Sequence, residues 1–485
     1  MSAVSFSSAD YVLGLQCLAA LWLKKRRPGS AAKGGQAGYW QGDGLKEIAY
    51  FKGAARVEAP PWTPEAAEET AELAQAGRRA ISQAAAVTPK GDFAAADFLK
   101  PRPQGGFDLF AIRAGATVKE HHYLPLAFQY HIFSSRYSIE RVFILRLNPG
   151  YVRLGEIEPR KMFRKTEVTA VVKEMAAGIP RRLAAWRRTL ARNTPPKAGP
   201  NQHCKPCLYR GGCWPAEREI PDYSLFSVLS PEKAEAIYKK HKTADLRELP
   251  ALPLSLQKRD EVECWREGGL IKKPKEIRAF LQQLRWPLYF LDYETIAPAV
   301  PLFEGARPLE QIPFQFSLYI QERPGGRTSH QGYLHQKIGD PRPALTKSLL
   351  AAIGRTGSII VYNRNFEKSC HENLAEASPG QARALLALNG RLVDLFLPFQ
   401  KRILYSHLQA GSASLKKVCL AFFGRKYEAL EIGNGAEAST SYLAFQRGAL
   451  NKGEQKKLFS NLKAYCGLDT QVMVDLVKVL EKHAS

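Results

Sequence analysis

Leu288-Tyr289-Phe290-Leu291-Asp292-Tyr293-Glu294 places four apolar residues directly before two carboxylates spaced i, i+2. A continuous apolar run of this length predicts a strand buried on both faces. Residues i and i+2 of a strand point to one face, so Asp292 and Glu294 share a side at its end. Uncompensated carboxylates there are costly, and such a pair needs a cation or an opening to solvent. Beyond this strand, Ile312 to Gln321 and Gly357 to Tyr362 read as further strands. Helical patterns alternate with them and end in Glu454 to His483, which predicts an α/β domain over 285–485. Val361-Tyr362-Asn363-Arg364-Asn365-Phe366-Glu367 ends a strand and opens a helix carrying another acid. Tyr465-Cys466-Gly467-Leu468-Asp469 puts a phenol and a carboxylate four apart, on one helix face.

Four carboxylates from separate elements suit two divalent cations about 4 Å apart, one activating water and one stabilising the leaving oxygen. Oxygen donors favour Mg²⁺ or Mn²⁺ over Zn²⁺. The ordered set D-x-E, Y-N-x-x-F-E, Y-x-x-x-D resembles the three exonuclease motifs of the tyrosine-type DnaQ-like (DEDD) superfamily. The resemblance implies an RNase H-like fold and a 3′–5′ exonuclease hydrolysing single-stranded nucleic acid, with Asp292, Glu294 and Asp469 as ligands. It gives Tyr465 the positioning of the water. The second-motif acid of that superfamily is usually Asp; Glu367 stands in its place here, and Asp394 in Leu392-Val393-Asp394-Leu395 is the alternative. Pro301-Leu302-Phe303-Glu304-Gly305, Gln311-Ile312-Pro313-Phe314-Gln315 and Gly433-Asn434-Gly435-Ala436-Glu437-Ala438-Ser439 extend the likeness, the last expected as a loop near the site. With the features below, most of the chain resembles an uncharacterised bacterial domain-of-unknown-function family joining a RecB-like half to a DnaQ-like half.

Cys204-Lys205-Pro206-Cys207 and Cys213 form C-x2-C-x5-C. In a reducing compartment such a cluster points to metal rather than to disulfides. Cys17 is the natural fourth thiol, although His203 offers a nitrogen. One distant N-terminal Cys plus a C-terminal C-x2-C-x5-C resembles the iron–sulfur staple of RecB-like nucleases. It implies a 4Fe–4S cluster, with Zn²⁺ the competing occupant. Cys264, Cys370, Cys419 and Cys466 are scattered and read as small buried hydrophobes.

The RecB-like (PD-(D/E)XK) pattern needs an Asp on one strand, E-x-K on the next and a downstream Gln helix. Ala95-Ala96-Asp97-Phe98-Leu99 fits the first, and Leu126-Ala127-Phe128-Gln129-Tyr130 the last. In Phe107-Asp108-Leu109-Phe110-Ala111-Ile112-Arg113, Ala111 stands where Glu belongs and Arg113 where Lys belongs. Alanine cannot bind metal, and Asp108 is out of register with Ala111. A retained fold with lost cleavage is therefore expected, with Arg113 suited to phosphate.

The formal net charge of +24 favours polyanionic partners, nucleic acid first. Arg181, Arg182, Trp186 and Arg187 on one helical stretch suit a single strand, phosphates on the cations and a base on the indole. Their alternative reading is an amphipathic helix with Leu183 and Trp186 in the core. No run approaches the ~20 apolar residues of a membrane span, and Lys24-Lys25-Arg26-Arg27 follow an apolar stretch in the reverse of signal-peptide order. A cytoplasmic protein that does not enter membranes is expected. The Ala/Gly-rich 29–38 reads as a surface loop. The division expected is 1–220 RecB-like, 221–284 helical linker and 285–485 exonuclease. The competing function is a non-catalytic nucleic-acid-binding adaptor built from two relic nuclease folds.

Overall fold

The computed structural model describes residues 4–31, 45, 48, 50–77, 79–204, 206–213, 220–221, 223–424 and 431–485. Most of the Ala/Gly-rich stretch, 32–38, lies outside them. The chain divides into two mixed α/β units: Met1–Glu219 with Pro298–Leu309, and Ile220–Ala297 with Glu310–Ser485.

Among the described residues of the first unit, six strands pair in sequence order: β1 (Ala55–Arg56), β2 (Ile81–Val87), β3 (Phe93–Pro101), β4 (Phe107–Arg113), β5 (Ile139–Leu147) and β6 (Phe163–Glu167). β1 with β2 and β4 with β5 are parallel; the other neighbours are antiparallel. The period of two divides β4 between two cores. Leu109 and Ala111 join a cluster with Phe6, Leu21, Phe128, Leu183 and Trp186. Phe110 and Ile112 join another with Phe98, Phe143 and Leu145. The second core also takes Ala299, from the segment 298–309. That segment is anchored by Arg153, which donates to the carbonyls of Pro301 and Leu302 at 3.0 and 2.7 Å.

The second unit continues the numbering with β7 (Leu270–Lys272), β8 (Leu288–Ile296), β9 (Ile312–Gln321), β10 (Thr328–Leu334), β11 (Ser358–Val361), β12 (Leu392–Asp394) and β13 (Leu404–Ser406). Its five-stranded sheet has the order β10-β9-β8-β11-β12. The first three strands form an antiparallel meander, while β11 and β12 run parallel to β8. β8 is the central strand, which explains its unbroken apolar run. Tyr289, Leu291 and Tyr293 pack on one face with Leu345, Leu349, Cys370 and Leu374. Asp292 and Glu294 therefore turn to the other face, where the helix Lys452–His483 crosses β8 and β9. Residues 220–284 belong to this unit, their helices gathered on a cluster around Tyr223, Leu246 and Val262. Among the described residues, no helix is long and apolar enough to cross a membrane.

Candidate metal centre and cysteine cluster

β9 positions the long helix over the β8 acids. Ser317 stands opposite Asp292 and Gln315 opposite Glu294. Gln315 Nε2 donates to the Leu462 carbonyl at 2.9 Å, and Ser317 Oγ lies 2.6 Å from Thr470 Oγ1. These ties straddle Tyr465, Cys466 and Asp469, all of them buried. Ligand atoms of Asp292, Glu294 and Cys466 lie within 4.8 Å of one another.

Glu367 arrives from a different direction. The helix Arg364–Ala377 buries Glu367, Cys370, His371 and Leu374, the i, i+3, i+4, i+7 face. Glu367 is thus turned inward, at 1% exposure, rather than solvated at the helix start. Its Oε2 is buried and has no hydrogen-bond partner. Asp394, the other candidate, is already engaged. Its carboxylate accepts the backbone N–H groups of Asn363, Arg364 and Phe396 at 3.1, 3.1 and 3.0 Å. Asn363 is left-handed (φ 98°) and supplies no side-chain cap. Asp394 performs that service from β12.

Burial raises the Asp292 carboxyl well above the usual range, and the charge of Asp469 adds to it. Glu294 rises from burial, then from Asp292 and Asp469, with Lys416 opposing. Glu367 rises from burial and then from Asp292. Tyr465 is pushed up by burial and by Asp469, Glu294 and Asp292, so it stays a protonated phenol. Crowded, desolvated acids of this kind either hold protons or hold a cation. With the orphaned Glu367 oxygen, the donor set fits a divalent metal.

Two members of this neighbourhood were not among the candidate site residues read from the sequence. Cys466, read as a small hydrophobe, sits with its Sγ 3.6 Å from Asp292 Oδ2. Lys416, in the helix Leu415–Phe423, places its Nζ 5.4 Å from the centre of the Tyr465 ring and donates to the Gly433 carbonyl. The only sequence signal for Lys416 was its place as one of two adjacent lysines in an otherwise apolar helix. The stretch 433–439 opens the helix Gly435–Gln446 instead of forming a free loop, with the Gly435 Cβ position 3.8 Å from Glu294 Oε2.

In the first unit Cys17, Cys204, Cys207 and Cys213 line one cavity of about 370 Å³, beside Leu13 and Tyr209. Cys17 sits at the extended break between the helices Ser8–Gln16 and Leu18–Arg26. None of the four is joined in a disulfide. Cys213 is pushed up to about 11 by burial first, then by Cys17, Cys204 and Cys207. His203 also lines the cavity, with its Nε2 3.3 Å from the Gln202 amide.

Of the positions read for a RecB-like pattern, Ala111 is fully buried and supplies no acid. Asp97 Oδ2 accepts the Ile112 N–H at 2.7 Å. Burial lowers the Arg113 guanidinium from its usual value, and the neighbouring Asp97 opposes. Asp108 is held by Arg141 at 3.1 and 2.7 Å. Gln129 Nε2 donates to the Ala95 carbonyl at 2.9 Å.

The basic helix Ile179–Leu190 corrects part of the nucleic-acid reading. Ile179, Leu183, Trp186 and Leu190 form its buried face. Trp186, 8% exposed, packs on Phe6 and Tyr11 and has no face for a base. Arg187 is paired with Asp92, and Arg182 bonds to the Tyr11 hydroxyl. Arg181 and Arg188 lie on the exposed side.

Residues 289–414 match a family described as "Domain of unknown function (DUF2779)". The chain is 25% identical over 236 residues to the "Uncharacterized protein MG366 homolog" of Mycoplasma pneumoniae, covering 44% of this chain and 35% of that protein. The chain thus spans about a third of this relative's length. No solved structure matches.

Proposed function

We propose that the second unit is a metal-dependent 3′–5′ exonuclease acting on single-stranded nucleic acid. The observation that carries this reading is the meeting of Asp292 and Glu294 on β8 with the helix that bears Tyr465, Cys466 and Asp469, the ligand atoms of Asp292, Glu294 and Cys466 lying within 4.8 Å of one another, together with the unpartnered buried carboxylate oxygen of Glu367 on a second helix. The sheet order β10-β9-β8-β11-β12, with its antiparallel meander followed by parallel strands, supports an RNase H-like fold. Asp292, Glu294, Glu367 and Asp469 would hold Mg²⁺ or Mn²⁺, which supplies a Lewis acid beside the phosphodiester and a water of lowered pKa. Tyr465, kept protonated, donates its hydroxyl to orient that water or a phosphate oxygen. Lys416 offers a cation to the phosphate, and its bond to Gly433 holds it at the rim.

Cys17, Cys204, Cys207 and Cys213 would hold a 4Fe–4S cluster, or Zn²⁺ in its place, fastening the N-terminal helices to the segment 204–213. The parallel β4–β5 pair, with Asp97 on β3 and Gln129 on the intervening helix, supports a PD-(D/E)XK-type fold. Ala111 and the backbone bond of Asp97 favour binding over cleavage there. The same observation favours the second reading, an adaptor in which both halves are relics.

The deciding experiment incubates the chain with 5′-labelled single-stranded DNA and RNA and with Mg²⁺ or Mn²⁺, beside the Asp292→Ala/Glu294→Ala double variant. A ladder shortening from the 3′ end, absent in the variant, is expected. Binding without shortening establishes the adaptor instead.

A further inference from the structure

Cys466 lies outside the cysteine cluster and fills an unspecified position between Tyr465 and Asp469 of the third motif, yet it touches the carboxylate centre. It is fully buried on the helix Lys452–His483. Its thiol donates toward Asp292 Oδ2 at 3.6 Å and lies 3.8 Å from the backbone carbonyl of the same residue. The atoms that Asp292, Glu294 and Cys466 would offer an ion are mutually within 4.8 Å. On a tetrahedral ion, with sulfur at about 2.3 Å and oxygens at about 2.0–2.2 Å, the donors stand roughly 3.3–3.6 Å apart. Cys466 Sγ and Asp292 Oδ2, 3.6 Å apart, already meet that spacing, and the remaining spread is closed by side-chain movements of up to about 1 Å. A second feature points to a ligand in the same place. Glu367 Oε2 has no partner although its residue is 1% exposed, and the charge of Asp292 acts on that carboxyl.

We propose that Cys466, Asp292 and Glu294 form a mixed sulfur–oxygen site that accepts a thiophilic divalent ion, Zn²⁺ foremost, in competition with Mg²⁺ or Mn²⁺. This rests on the reading of the carboxylates as a metal centre and adds a second class of ion to it. Hard ions need only the oxygens and leave the thiol as a hydrogen-bond donor. A softer ion engages the sulfur as well, and Zn²⁺ stands above Mn²⁺ in intrinsic affinity for most donor sets. Ligation exchanges the Sγ–H···Oδ2 bond for an Sγ–metal bond and releases the thiol proton. A soft ion held by Cys466, Asp292 and Glu294 would occupy the same carboxylates the hard ion needs. Zn²⁺ thus acts as an inhibitor of this centre, selected by one side chain.

The test uses Co²⁺ as a spectroscopic probe on the full chain, comparing wild type with Cys466→Ala, Cys466→Ser and Asp292→Asn. The four-thiol cavity contributes alike to all four proteins, so difference spectra isolate Cys466. A thiolate-to-cobalt charge-transfer band lost in both Cys466 variants and weakened in Asp292→Asn is expected. Removing even an outer-shell partner of a ligand costs about 10–100-fold in metal affinity, so Zn²⁺ displacement of Co²⁺ should weaken by at least about ten-fold in Cys466→Ala. A band identical in wild type and in both Cys466 variants, with native circular dichroism, overturns the proposal. Cys466→Ser, close in size to the native residue, keeps the comparison valid if the alanine variant does not fold. Mn²⁺ binding, followed by electron paramagnetic resonance, is expected in wild type and Cys466→Ala alike. Its absence from wild type sinks the hard-metal reading, while the cobalt band decides Cys466 on its own.

Discussion

Glu367 and Asp394 show how two acids near the same strand ends acquire opposite duties. Asp394 commits its oxygens to three backbone N–H groups, the service a side chain performs at a helix start. Asp394→Ala is therefore expected to lower stability by about 1–2 kcal/mol, read as a fall in Tm, with Mn²⁺ affinity changed only slightly. Glu367 has a buried oxygen with no partner, and removing such a group costs nothing in the metal-free protein. Glu367→Gln should leave the metal-free Tm unchanged or higher and abolish most of the rise in Tm on adding Mn²⁺. For wild type that rise corresponds to about 2.7 kcal/mol at a hundred times Kd. An Asp394→Ala variant that lost the Mn²⁺ response, with Glu367→Gln retaining it, would reverse the assignment. Lys416 adds a charge that none of the motifs contained. Lys416→Met is expected to slow cleavage about 10²-fold, in line with the loss of one electrostatic stabiliser, while Mn²⁺ binding persists. Equal rates for Lys416→Met and wild type would remove it from the site.

Elements explain why these residues meet. The helix Lys452–His483 is held to β9 at Leu462 and Thr470, and the roughly two turns between those ties carry Tyr465, Cys466 and Asp469. The ties to β9 set the angle at which the acid and phenol face β8. Ile179–Leu190 illustrates the opposite outcome, an element whose aromatic serves packing. Trp186→Ala should cost about 3–5 kcal/mol, visible as a large loss of Tm in the first unit. Arg181→Ala/Arg188→Ala should instead preserve stability and flatten the salt dependence of single-strand binding by roughly 0.7 in log–log slope for each phosphate no longer neutralised. An unchanged slope would assign the basic excess of this helix to solvation alone.

Across the whole molecule, four cysteines far apart in sequence line one cavity of the first unit. A metal cluster bound by all four would close a long loop and so constrain the unfolded chain. Anaerobically purified protein is expected to carry iron and to lose it on Cys17→Ser as fully as on Cys207→Ser. Zinc in a colourless wild type would replace iron with the competing metal, and full iron in Cys17→Ser would exclude that thiol. The first unit also takes residues 298–309 from between two strands of the second, and Arg153 fixes them by their carbonyls. Nothing in the composition of Pro298–Leu309 marks that return, because backbone carbonyls are the groups recognised.

The sequence by itself determined the strand Leu288–Ile296, the two-residue spacing that turns Asp292 and Glu294 to one face, and the helix that pairs Tyr465 with Asp469. These follow from periods of 2 and 3.6 and from residue chemistry, which are local properties of the chain. For the helix Ile179–Leu190 the sequence left two readings open, and one of them, with Leu183 and Trp186 in the core, is the one the packing shows. Only the tertiary structure showed that Asp394 spends its carboxylate on three backbone N–H groups while Glu367 keeps a buried oxygen unpartnered, since only packing shows which oxygens are already used. Only it placed Cys466 against Asp292 and Lys416 beside Tyr465. Those pairs join residues more than a turn or a strand apart, and sequence spacing carries no information about which distant faces will meet.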